Sequence, residues 1–222
     1  MFRADELLDL TQCACPKLFD GEPVWNALRR IGAFVQASLK PGNAGTVVGT
    51  PYIGRDVQIG KGTVIEHGAV IKGPAIIGSN CEIRAGAYLR ENVIVGDGCV
   101  LGNACEFKNA VLFNGCQVPH FSYVGDSILG HKAHLGAGVI ISNLKSTTGT
   151  VKVGDIDTGL RKFGAIVGDE ADIGCNCVLN PGSIIGRRAV LYPNVLWRGV
   201  CPADSIVKLR QEQLVVERRR AG

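Results

Sequence analysis

The chain has 222 residues, enough for one large domain or two small ones, and its 46% apolar content is ordinary for a globular protein. A net charge of +4 is too small to imply nucleic acid, and much of it sits in Arg218, Arg219 and Arg220, which read as a solvated tail. No stretch approaches the roughly 20 apolar residues of a membrane span, and Met1 to Leu10 lacks the apolar core of a secretory signal.

Nine cysteines without a secretory leader fit reduced thiols, so a cytoplasmic protein is expected. Thirty glycines beside seven Phe, two Trp and one Met imply many tight turns around a narrow core. Cys13 and Cys15 are one residue apart, which is not the usual zinc or redox spacing, and they read as structural. From Glu22 to Leu39, Val24, Leu28, Ile31 and Val35 fall at helical spacing, and Pro41-Gly42 stops the pattern. Residues 1–45 are therefore expected to form an N-terminal helical cap.

A repeat follows. Val47, Ile53, Ile59, Ile65, Ile71, Ile77, Ile83, Leu89, Val95 and Leu101 recur every six residues, and Phe107 and Phe113 keep the phase. The pattern returns at Leu129, Leu135 and Ile141, and again at Val167, Ile173, Leu179, Ile185, Leu191 and Trp197. Gly often follows at once (Gly54, Gly60, Gly78, Gly96), and a small or branched residue lies two positions before (Val57, Thr63, Ala69, Ala75). Cys81, Cys99, Cys105 and Cys177 occupy that second slot and read as small core residues. A period of six suits a coil of three short strands, one hexad per side, stacked so that like side chains form ladders. The fold expected is all-β: a left-handed parallel β-helix of hexapeptide repeats over 46–202, with the helical cap before it and a C-terminal tail over 203–222, helix or strand.

Two breaks interrupt the period. The step from Phe113 to Leu129 exceeds two hexads by four positions, so the surplus is expected to bulge out with His120 and Tyr123. The step from Ile141 to Val167 exceeds two hexads by fourteen positions, which read as an arm over 144–166.

These segments carry a resemblance. His-Phe-Ser-Tyr-Val-Gly-Asp (120–126), with Gly-Asn-Ala-Cys-Glu-Phe-Lys (102–108) upstream, resembles the acetyltransferase domain of the bifunctional N-acetylglucosamine-1-phosphate uridylyltransferase / glucosamine-1-phosphate N-acetyltransferase family. Asn143-Leu144-Lys145 and the run 159–169 are similar to the archaeal sugar-1-phosphate nucleotidylyltransferases of that kind, and about half the chain is covered. The resemblance implies that His120 is the base, Arg90 and Lys108 bind phosphate, and Tyr123 contacts sugar and phosphate. It puts Asn143 in the acceptor pocket, matches Lys162 to the arm lysine, and matches Lys152 in the archaeal pattern. Ala137 is implied to contact acetyl-CoA, the expected co-substrate. Two positions depart: His134 stands where the family usually has Asn, and Pro193, which has no N–H, stands where one bacterial form offers an N–H to the cofactor. The roughly 45 residues before the repeat are too few for the nucleotidylyltransferase half, so the acyltransferase half alone is expected.

The chemistry agrees with that assignment. Acyl transfer from a thioester needs a deprotonated nucleophile, which a neutral imidazole such as His120 can provide, and no acyl-enzyme is required. Arg90 and Lys108 are three hexads apart, hence on the same side of successive coils, and suit one phosphate. Glu106 either orients His120, contacts the sugar or is a surface carboxylate. His134 either shares the acceptor face or is a buried polar residue in a turn. Arg187 and Arg188 either meet coenzyme A phosphates or are solvated.

The expected activity is therefore acyl-CoA-dependent N-acyl transfer to an amino sugar phosphate, such as glucosamine 1-phosphate or a nucleotide amino sugar. One prism face is too narrow to enclose both substrates, so a homotrimer is expected, with neither nucleic acid nor membrane as partner. A non-catalytic sugar-nucleotide-binding or assembly subunit is the alternative. A γ-carbonic-anhydrase-like metal site would draw on His67, His120, His131 and His134. His131 and His134 lie three apart on a coil, where alternation points them differently, and no metal is expected.

Overall fold

A computed structural model of the chain describes residues 2–21 and 23–218; Glu22 and the tail arginines Arg219 and Arg220 lie outside the described residues. The hexads wind into a left-handed parallel β-helix of about 9 turns. Three ladders of short parallel strands make its faces. The first begins at Gly42–Asn43 and ends at Val200–Cys201. The second runs from Thr46–Val47 to Ile206–Val207, and the third from Tyr52–Ile53 to Leu196–Trp197. Backbone amides in these strands bond to the coil above or below, which allows strands of only two or three residues.

The sequence period explains the interior. Ile59, Ile77 and Val95 stack on the first face, Ile65, Ile83 and Leu101 on the second, and Ile71, Leu89 and Phe107 on the third, all buried. The slot two residues earlier holds Ala69, Ala75, Cys81, Ala87 and Cys99, also buried. Small or β-branched side chains such as Val57, Thr63 and Val93 fill the same slot on other coils.

Register corrects the reading of both breaks. Leu112, not Phe113, pairs with Val95 and then with Leu129. Each of these two steps is one position shorter than the three hexads from Ile77 to Val95. Two coils are each one residue short at the corner from the third face to the first, so no four-residue bulge exists. The shortened corners are crossed by unbroken strands, Glu106–Leu112 and Tyr123–Leu129, which turn on Asn109 (φ 45°) and Asp126 (φ 47°). Asn and Asp tolerate this left-handed conformation better than most residues. Phe113 is released from the ladder and packs edge-on against Phe19, with ring centroids 5.5 Å apart.

At the second break, Ile141 continues the third face and Val167 the first, so a single corner separates them. The arm is correspondingly longer than the period suggests. It leaves at Ser142, forms an antiparallel hairpin (Lys152–Val153 with Ile156–Asp157), and returns beside an isolated bridge between Leu144 and Lys162. Val151, Val153 and Phe163 bury its underside.

The N-terminal segment does more than precede the coil. Val24–Asn26 is a single 3-10 turn, and the α-helix spans Ala27–Ser38, ending shortly before Pro41. Its stripe of Ala27, Leu28, Ile31 and Val35 is buried against the first face. Ile94, Val111 and Ile128, outward side chains of the strands the helix meets, are buried as a result, and Ile166 and Ile184 further along the face are buried too. The segment is thus a flank along the prism and not a plug at its end. Asp169 fastens it: its carboxylate accepts the Asp9 N–H (2.6 Å) and the His131 N–H (2.7 Å), and its own N–H donates to the Leu7 carbonyl (3.0 Å). Trp25 meets Phe163 of the arm at 6.2 Å, and the Arg29 guanidinium donates to the Thr158 carbonyl (2.8 Å). Flank and arm therefore brace each other. After Ile206–Val207, residues 208–218 carry no regular structure. Among the described residues no helix is long and apolar enough to cross a membrane.

Candidate functional site

His120 ends the strand Gln117–His120 at the corner from the second face to the third. Its backbone is tightly held: the carbonyl accepts the Gly138 N–H (3.1 Å) and the Ser122 hydroxyl (3.0 Å). Gly102 makes room for this, since any Cβ there would overlap the Pro119 carbonyl. The imidazole is exposed against Phe121 (5.7 Å between rings) and has no hydrogen-bond partner among the described residues. A fixed backbone beneath an uncommitted ring suits a base that must meet a substrate amine.

Arg90, Glu106, Lys108, Tyr123 and Asn143 gather one corner further along, on that coil and its neighbours. Arg90 and Lys108 follow Leu89 and Phe107 and stack on adjacent coils, because the Arg90 N–H donates to the Phe107 carbonyl (2.8 Å). Glu106 and Tyr123 are cross-strand partners on the third face. Glu106 contacts Arg90 Nη1 (3.0 Å), and Glu91 approaches Arg90 Nε (3.6 Å); the bond to Glu106 raises the guanidinium's pKa further. The partner of Glu106 is therefore Arg90 and not His120.

Asp126 is the hub. It is 5% exposed and accepts Lys108 Nζ (3.4 Å), Asn109 Nδ2 (2.9 Å) and Asn143 Nδ2. Asn143 Nδ2 also points to the Tyr123 hydroxyl (3.3 Å). The base of the arm is pinned there by the Phe163 N–H on the Asn143 carbonyl (2.9 Å). Burial, then the negative charges of Glu106 and Asp126, push the Tyr123 phenol up, so it remains a neutral donor. Gly125 is required beneath this contact: a Cβ would sit 2.5 Å from the Tyr123 hydroxyl and 2.7 Å from Asn143 Nδ2.

Arg90, Glu106, Lys108, Tyr123 and Asn143 are thus neighbours, and Lys108 and Asn143 share a carboxylate, Asp126, that sequence reasoning did not single out. The available signal was its place as the last residue of the 120–126 run. Ala137 lies close to His120, being next to Gly138, and its carbonyl accepts the Asn176 N–H (2.9 Å). Other candidates lie elsewhere. His134 is neither buried nor part of the cluster; it sits on the second face with Nδ1 2.8 Å from Asp172. Arg187 approaches Asp169 (3.3 Å), in the joint that fastens the N-terminal flank, and Arg188 pairs with Asp204 (2.6 Å). Lys162 is exposed on the returning strand of the arm. His131 bonds the Asn114 carbonyl through Nδ1 (2.8 Å), and no three potential metal ligands cluster among the described residues.

Lys152 faces a different feature. A cleft of about 560 Å³ opens between the arm and the following coils, lined by Ser142, Lys145, Lys152, Asn180 and Arg198 among others. Among the described residues three cations and no carboxylate line it, which suits anionic groups. Lys145 and Arg198 were not picked out from sequence.

The GMPPB C-terminal domain family matches residues 71–158, a span that holds Arg90, Glu106, Lys108, His120, Tyr123, Asn143 and Lys152. A bifunctional sugar-1-phosphate nucleotidylyltransferase/acetyltransferase of Sulfurisphaera tokodaii is 39% identical over 90 residues, which is 39% of this chain and 22% of that protein. The bifunctional protein GlmU of Methanococcus maripaludis is 33% identical over 112 residues, 49% of this chain and 27% of that protein. This chain is similar to a part of those bifunctional proteins. It spans only about a quarter of their length. Among solved structures, the UDP-N-acetylglucosamine acyltransferase of Francisella novicida aligns with a TM-score of 0.46 and 16% identity, over 75% of this chain and 66% of that one.

Proposed function

We propose that this chain is an acyl-CoA-dependent N-acyltransferase that acetylates an amino sugar carrying a phosphate or diphosphate at C1. One observation carries the reading: Lys108 and Asn143 bond to buried Asp126, Asn143 reaches the Tyr123 hydroxyl, and Arg90 is held beside them by Glu106, one corner along the coil from an exposed His120 whose imidazole hydrogen-bonds to no described residue. Donors remain for a ligand. Arg90 Nη2 has no partner among the described residues, and Lys108 Nζ has a single long contact. Both can turn these donors to phosphate oxygens while Glu106 and Asp126 keep them oriented.

In the step proposed, the amine nitrogen attacks the thioester carbonyl carbon as His120 takes an amine proton. The C–S bond then breaks, and the imidazolium returns that proton to the departing thiolate, leaving amide and free thiol. Lys145, Lys152 and Arg198 supply the positive cleft for the phosphates of the acyl donor, a role that the sequence left open for Arg187 and Arg188 beside a solvated one.

The active assembly proposed is a homotrimer with sites between neighbours. Its support is the third face, whose outward Tyr52, Ile140 and Leu196 are 59%, 39% and 68% exposed, whereas the first face is covered by the chain's own flank. The test is thiol release from acetyl-CoA across a panel of free amino sugars, their 1-phosphates and nucleotide amino sugars. Release with the phosphorylated acceptors, lost in His120→Ala, is expected. Failure of the whole panel to release thiol would overturn the reading in favour of a non-catalytic binding subunit.

A further inference from the structure

We propose that Cys13 and Cys15 form a reversible disulfide, a thiol-modification site on the N-terminal flank that is separate from the acyl-transfer cluster. The sulfurs are 3.5 Å apart, and the Cys15 N–H donates to Cys13 Sγ (3.3 Å). Cys13 reaches solvent, whereas Cys15 is fully buried. The pair occupies the turn between two short 3-10 helices, Leu10–Gln12 and Pro16–Phe19. Both ends of that turn are anchored, by the Asn114 N–H on the Gln12 carbonyl (3.0 Å) and by Phe19 on Phe113.

The other thiols behave differently. Cys81, Cys99, Cys105, Cys116 and Cys177 are buried in the prism, and each donates its Sγ–H to a backbone carbonyl of the neighbouring coil. Those sulfurs are committed and shielded. Cys13 and Cys15 have each other, with one sulfur open to a reagent. Hydrogen bonding from Cys15 lowers the Cys13 pKa, while the Cys13 sulfur and burial push Cys15 up. The accessible sulfur is therefore the nucleophile and the buried one the resolving thiol. A disulfide requires about 2.05 Å between sulfurs, so the pair must close by roughly 1.5 Å, within reach of rotation about side-chain bonds.

The oxidant is a small-molecule disulfide, for which glutathione disulfide is the probe. Cys13 thiolate attacks one of its sulfurs, the S–S bond breaks, and one glutathione leaves as thiolate. Cys15 then attacks Cys13 Sγ in the mixed disulfide, giving up its proton as the second glutathione leaves. Two electrons pass from the two cysteines to the oxidant, and reduced glutathione reverses the sequence.

The experiment uses the full chain carrying Cys175→Ser, which removes the exposed thiol of the β-helix. The protein is equilibrated in glutathione buffers of rising oxidised fraction, quenched in acid, alkylated and mapped by mass spectrometry. The expected product is a peptide bridging Cys13 and Cys15, lighter by two hydrogens and restored by reduced glutathione. Cys15→Ser should stop at a glutathione adduct on Cys13, and Cys15→Ala serves if the serine variant fails to fold. Full alkylation of Cys13 in the most oxidising buffer, or a glutathione adduct persisting on Cys13 while Cys15 is present, would overturn the proposal.

Discussion

Replacing Asp126 tests whether its carboxylate organises the proposed acceptor cluster. Asp126→Ala strips the acceptor from Lys108, Asn109 and Asn143 at once. Lys108 keeps only 15% of its side chain exposed, so its ammonium is left largely buried without a counter-charge. Breaking one side of a buried pair costs about 3–5 kcal/mol. The lower end applies, because the contact is 3.4 Å long and some water reaches the lysine. Alanine at φ 47° adds about 1 kcal/mol, a strain that Asp tolerates better. The sum is about 4 kcal/mol. At about 2–4 °C per kcal/mol for a chain of this size, that is a fall of roughly 10 °C in Tm.

Asp126→Asn separates fold from site. Asparagine keeps the volume, the left-handed backbone and one acceptor oxygen, but loses the charge and turns its amide toward a donor. A loss of about 1.5–3 kcal/mol is expected, the range for a hydrogen bond to a charged group. The KM for the acceptor should rise while the KM for the acyl donor stays put, since Lys108 and Asn143 lose their shared anchor and the donor cleft does not. Paired thermal melts and thiol-release kinetics decide it. An Asp126→Ala protein melting within about 2 °C of wild type would refute the energetic reasoning. A wild-type acceptor KM in Asp126→Asn would remove Asp126 from the site.

Four other outcomes follow from the same geometry. His120→Ala should lose on the order of 10²–10⁴ in kcat with an unchanged melt, as its ring is exposed. Arg90→Ala should weaken acceptor binding by about 1.5–3 kcal/mol, read as a rise in acceptor KM alone. Gly125→Ala should fold, because its new Cβ meets only side-chain ends, yet lose acceptor affinity by parting Tyr123 from Asn143. The Tyr123 shift fixes a sign at high pH: a phenol raised in the folded state contributes stability below its unfolded pKa of about 10 and loses it as pH rises through the folded value. Urea melts at increasing alkaline pH should therefore show wild type falling toward Tyr123→Phe.

The period of six was enough to read the coil and its interior ladders, because one buried aliphatic per face leaves an unmistakable mark. It was not enough to count residues at the corners. A ladder residue can move from Phe113 to Leu112 without changing its chemical type, so the apparent insertion before Leu129 was in fact two deletions. The arm was undercounted for the same reason: one corner, not two, separates Ile141 from Val167. Helical spacing revealed the buried stripe of the N-terminal helix but not what it covers, since an apolar stripe packs as well on a face as on an end.

Candidate site residues were legible where their neighbours are set by stacking. Arg90 and Lys108 follow ladder residues on successive coils, so a spacing of three hexads places them side by side whatever lies between. Asp126 escaped notice because its role depends on the shortened corner. In a full-length coil its position would be an ordinary turn residue. With one residue removed, the turn draws its carboxylate inward, under Lys108 and against the root of the arm at Asn143. Arg187 shows the converse. A basic residue beside a coil reads equally well as a ligand for phosphate or a partner for carboxylate; register sets Arg187 beside Asp169, three hexads away, but only the N-terminal flank, folding back across more than a hundred residues of sequence, brings the Asp9 N–H onto that carboxylate. Register within the coil can be inferred from its period; contacts made by segments that leave the coil cannot, and in this chain the arm root and the flank supply them.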